Sequence, residues 1–60
     1  MNTRTNEMQL NAIRSYIKAN FDMYPRMIER HIDNCDTVIN ANYTLNAIGA
    51  FHTFEEITAA

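Results

Sequence analysis

His31 and Cys35 stand four positions apart, a spacing that puts an imidazole and a thiol on one face of a helix, with His52 and Asp36 as further donors. A structural zinc site needs four ligands and is usually announced by paired short spacings, which this chain lacks. His31 also falls inside an apolar row, where a hydrogen-bonded core or interface histidine is the commoner occupant, so no metal is expected. Cys35 has no flanking nucleophile signature, and a cysteine in an apolar row in mid-helix is usually buried and inert. Glu55 and Glu56 are neighbours in sequence; on a helix they point about 100° apart and do not form a facing carboxylate pair. Their better use is at a helix N-terminus, where the macrodipole favours negative charge. One glycine in the whole chain excludes a glycine-rich phosphate loop. The expectation is a chain without catalytic residues or cofactors, and not an enzyme.

The basic residues are the other candidates for chemistry. Arg4, Arg14, Lys18, Arg26 and Arg30 all lie in the first thirty positions, which carry a net +2, whereas the remainder carries −4, giving the formal −2 of the chain. Arg14 and Lys18 are one helical turn apart, as are Arg26 and Arg30, so the four outline a basic ridge suited to an acidic protein surface or to phosphates. Against nucleic acid stand a pI near 5.5 and an acidic third segment, where Leu45 to Ile57 offers Asn46, His52, Glu55 and Glu56. In a helix-turn-helix unit the later helix normally enters the major groove. Nucleic acid is therefore not the favoured partner.

Three helical segments would have to position these residues. The first spans about 6–19: Asn6 is an N-cap with Gln9 three residues on, and Leu10, Ile13 and Ile17 form an amphipathic stripe with Tyr16 beside it. Asn20 is expected to end it in the left-handed conformation. The second spans about 24–39, opening at Pro25 in its first turn. Its apolar row is Ile28, Ile32, Cys35 and Ile39; Asp33, Asn34, Asp36 and Thr37 are poor interior formers, so the alternative to one continuous helix is a break near Asn34. The third spans about 43–58 on the row Tyr43, Ala47, Ala50, Phe54 and Ile57. Its rivals are a break at Gly49 with a new start after Thr53, and a hairpin pairing Thr37–Ile39 with Tyr43–Leu45.

Sixty residues, 47% of them hydrophobic, make one domain at most, and a domain of this size seldom obtains more than about 3–5 kcal/mol from its own core. There is one cysteine and so no internal disulfide, no Trp, and no apolar run long enough to span a membrane. The N-terminus has no apolar stretch of a secretory signal. The expected fold class is all-α: a small three-helix unit, 1–60, completed by homodimerisation into a helical bundle, since the apolar rows look broader than one such unit covers. Ile28, Ile32, Cys35, Ile39, Phe51 and Phe54 are the expected oligomer or partner interface; Ala47, Gly49 and Ala50 would allow close approach of helices.

The functional expectation is a cytoplasmic, non-enzymatic interaction or regulatory protein that self-associates and binds another protein. Its alternative is a small DNA-binding transcriptional regulator acting as a dimer. The chain opens with Met and reads as a complete small open reading frame, of the kind common among accessory products of phages and other mobile elements.

Overall fold

A computed structural model describes residues 2–59. Among them run four helices, α1 (Glu7–Asn20), α2 (Pro25–Asp33), α3 (Val38–Ala47) and α4 (Phe54–Thr58), with no strand beyond one isolated antiparallel bridge between Arg4 and Thr37. The all-helical class is as expected. The helix number is four rather than three, because both longer segments are interrupted.

α1 starts as its sequence dictates. The Asn6 side chain accepts from the Gln9 amide at 2.8 Å, and the Gln9 side chain accepts from the Asn6 amide at 2.9 Å. Two of the orphan donors of the first turn are thereby satisfied. Ile13 and Ile17 are fully buried, with Leu10 and Tyr16 packed at the margin. The left-handed ending expected at Asn20 does not occur. Phe21 caps the helix in an extended conformation (φ −131°) with its backbone N–H donating to the Ile17 carbonyl at 2.9 Å, and the Asn20 side-chain Nδ2 donates to the Tyr16 carbonyl at 2.9 Å.

α2 begins at Pro25, where the missing N–H costs nothing, and stops after Asp33. The helix expected over 24–39 is thus two helices separated by residues 34–37. Asn34, Asp36 and Thr37 compete for backbone groups and do not propagate a helix, and Thr37 caps α3 by accepting from the Asn40 amide at 3.2 Å. The N-terminal segment supplies the turn's remaining partners. The Val38 amide donates to the Thr3 carbonyl at 2.8 Å, and the Thr5 amide to the Asp36 carbonyl at 3.1 Å. The Thr5 hydroxyl donates to the Cys35 carbonyl at 2.6 Å. Residues 3–5 therefore strap the turn.

α3 ends at a left-handed glycine. Gly49 has φ +82°, its amide donates to Asn46 and the Ala50 amide reaches back to the Leu45 carbonyl at 2.9 Å, the Schellman arrangement. A Cβ at Gly49 would meet nothing within 4 Å, so Gly49→Ala is expected to cost about 1 kcal/mol through backbone strain alone, measurable as a shift in urea midpoint at constant slope. The continuous helix over 43–58 is thereby overturned, as is the hairpin: Thr37 caps α3, and the other residues assigned to its strands, Val38, Ile39 and Tyr43–Leu45, are helical. α4 starts from the Thr53–Glu56 capping box, with Thr53 N–H donating to the Glu56 carboxylate at 2.8 Å. Five residues cannot hold a helix alone. α4 persists because it docks on α1 and α3, buries Phe54, and has the Phe54 amide donating to Asn42 Oδ1 at 3.0 Å.

Ile13, Ile17, Ile28, Ile32, Cys35, Ala41, Leu45 and Phe54 form one core, ringed by half-buried Leu10, Tyr16, Phe21, Met23, Val38, Ile48, Ala50 and Ile57. The chain measures 32 × 20 × 20 Å. No described helix is long and apolar enough to cross a membrane.

Candidate interaction surface

Cys35 is fully buried, and its thiol donates to the His31 carbonyl at 3.1 Å. Burial pushes its pKa up; the hydrogen bond from the Thr44 hydroxyl opposes this and nearby Asp36 adds to it. A thiol held protonated in a core is packing material and no nucleophile. Among the described residues no group of three or more His, Cys, Asp or Glu side chains stands close enough to hold a metal ion. His52 is turned to α1 and α4, its ring edge-on to Tyr16 at 5.9 Å and its Nδ1 at 3.7 Å from Glu56.

Four of the six apolar residues expected at an interface are enclosed by their own chain. Ile28, Ile32, Cys35 and Phe54 belong to the core, while Ile39 and Phe51 remain outside, 56% and 90% exposed. The row through Ile28, Ile32, Cys35 and Ile39 does not continue across the turn, so Ile39 starts a new face. Of the small residues, Gly49 and Ala50 are spent in the turn after α3, and Ala47 alone stays on an exposed helical face.

The basic ridge is interrupted as well. Arg14 makes a two-pronged pair with Glu29, Nε to Oε2 at 2.6 Å and the terminal nitrogen to Oε1 at 3.0 Å, joining α1 to α2. That pairing raises the Arg14 pKa and lowers that of Glu29, with the hydrogen bond as the chief cause in both. Lys18, Arg26 and Arg30 remain exposed, with Glu29 and Asp33 interleaved on α2.

What sequence reading missed is the outward face of α3. The helix carries no charged residue, and opposite its buried Ala41, Thr44 and Leu45 it presents Ile39, Asn40, Tyr43, Asn46 and Ala47, with Tyr43 77% exposed. A groove of about 470 Å³ runs beside this face, between α3 and the end of α2, lined by His31, Asn34, Asn40, Tyr43, Thr44 and Ala47. Thr37, three residues before Asn40, was the available sign that a helix starts there and turns Tyr43 and Ala47 outward.

Three carboxylates titrate below their ordinary range. Glu29 is held down by Arg14, Asp36 first by the hydrogen bond from Asn40, and Glu56 first by the Thr53 backbone N–H. A folded-state pKa below the unfolded one contributes stability that is present above about pH 4 and lost as the pH falls. The melting temperature is therefore expected to drop on acidification below about pH 4. Glu56→Gln, which keeps the capping box, should flatten that drop in a thermal melt series; an unchanged profile would refute the contribution of Glu56.

No protein-family model, curated protein or solved structure matches this chain.

Proposed function

We propose that this chain is a non-enzymatic interaction protein that self-associates and docks on another protein. One observation carries the reading: α3 turns an uncharged face with Ile39 and Tyr43 to solvent. A small soluble domain normally covers such a surface with charge, and an exposed apolar patch rimmed by polar groups marks a binding surface. Exposed Arg26 and Arg30 on α2 are a separate feature, suited to an acidic partner surface by steering the encounter. The test is molar mass by light scattering from about 1 μM to about 1 mM, spanning binding free energies of about −8 to −4 kcal/mol. A rise towards twice the chain mass supports self-association; a constant monomer mass refutes it.

The second reading, a DNA-binding regulator, is favoured by α2 and α3 being joined through the four residues 34–37 and by Asn40 and Asn46 on the exposed face, amides of the kind that pair with adenine edges. Retention on heparin that weakens steeply with salt would support it.

A further inference from the structure

We infer that α3 is the seat of a twofold pairing between two copies of this chain; this deepens the proposed self-association and rests on it. The outward face matches itself about Tyr43, with an asparagine three residues to either side and a large and a small apolar residue four residues to either side. Ile39 and Ala47 each lie four residues from Tyr43, and Asn40 and Asn46 each lie three. Two copies of α3 laid antiparallel about an axis at Tyr43 therefore set Ile39 against the second copy's Ala47, Asn40 against the second copy's Asn46, and the two Tyr43 rings against each other.

Each juxtaposition is chemically complementary. A large side chain meets a small one, which is how facing helices interdigitate. Ala47 also lines the groove between α2 and α3, so the second copy's Ile39 has a recess to enter. Amide meets amide, and each has both a donor and an acceptor to offer the other. Stacked or edge-on aromatic rings favour contact at the axis. A twofold interface places a patch against itself, so a charged patch repels its own copy. α3 has no charge to repel. Nucleic acid needs cations on the face it meets, and α3 offers none, which is why a second copy is the better-matched occupant.

The experiment uses exposed positions, so folding is preserved and is checked by circular dichroism. Tyr43→Cys should form a disulfide-linked dimer under mild oxidation, because only residues at the axis approach their own copies within about 7 Å. Tyr24→Cys, equally exposed at the start of α2, should not. Ile39→Glu should weaken dimerisation at least about tenfold, and Ile39→Glu with Ala47→Lys should restore it, since the twofold makes the new ion pair twice. A dimer indifferent to Ile39→Glu, in which Tyr43→Cys does not cross-link, overturns the α3 pairing and leaves self-association standing. A chain that stays monomeric throughout overturns both, and salt-sensitive DNA retention by that monomer would hand α3 to the nucleic-acid reading.

Discussion

Phe54→Ala is expected to leave this protein with little or no stable fold, and to do so independently of protein concentration. Phe54 is 4% exposed and is the one buried residue of α4. Truncating a buried phenylalanine costs about 3–5 kcal/mol through lost burial and the cavity left behind. That matches the roughly 3–5 kcal/mol a core of this size supplies. Far-ultraviolet circular dichroism with urea titration at two concentrations tenfold apart checks it. Were Phe54 an interface residue, as its sequence position suggested, the variant would stay helical and lose only association. A midpoint matching the parent would show that the side chain is dispensable to the core.

The second large effect is expected from removing residues 1–5. This deletes the three hydrogen bonds that join Thr3 and Thr5 with the turn at residues 35–38, one accepted by Thr3 and two donated by Thr5, but spares Asn6 and the cap of α1. At about 0.5–1.5 kcal/mol net for each bond, the loss is about 1.5–4.5 kcal/mol. It should be concentrated at the α2–α3 turn. In hydrogen exchange, the Val38 amide is expected to lose its protection first, while amides near Ile17 slow or speed only with global stability. Thr5→Val isolates the hydroxyl contact to the Cys35 carbonyl and should account for about 1 kcal/mol of the total. Full protection of Val38 in the truncated chain would mean that Thr37 and α3 organise the turn unaided.

The parts legible in the sequence are those governed by neighbours in the chain. Asn6 and Gln9 announce α1, Pro25 opens α2, and Thr53 with Glu56 announces α4, because caps depend on residues three apart. Asn34 and Gly49 were visible as breakers, but periodicity argued against them. The row from Ile28 to Ile39 keeps helical spacing through a turn by coincidence, and so does the row from Tyr43 to Ile57. Periodicity records which residues are apolar; where a chain reverses, it no longer records which face they share. The interface was harder still, because an amphipathic stripe looks the same whether its own chain or another covers it. Only the placement of α1 against α2 and α4 shows that Ile28, Ile32 and Phe54 are covered from within. The strap was not legible at all: Thr3 and Thr5 carry no pattern, and their partners lie thirty or more positions away.

That distance sets an order of events during synthesis. On the ribosome residues 3–5 emerge ahead of the segment around Val38 and lack these hydrogen-bond partners until that segment has followed them out. α1 carries its own cap within the chain and needs no distant partner to start, whereas Thr3 and Thr5 stay unpaired until the segment around Val38 has left the exit tunnel.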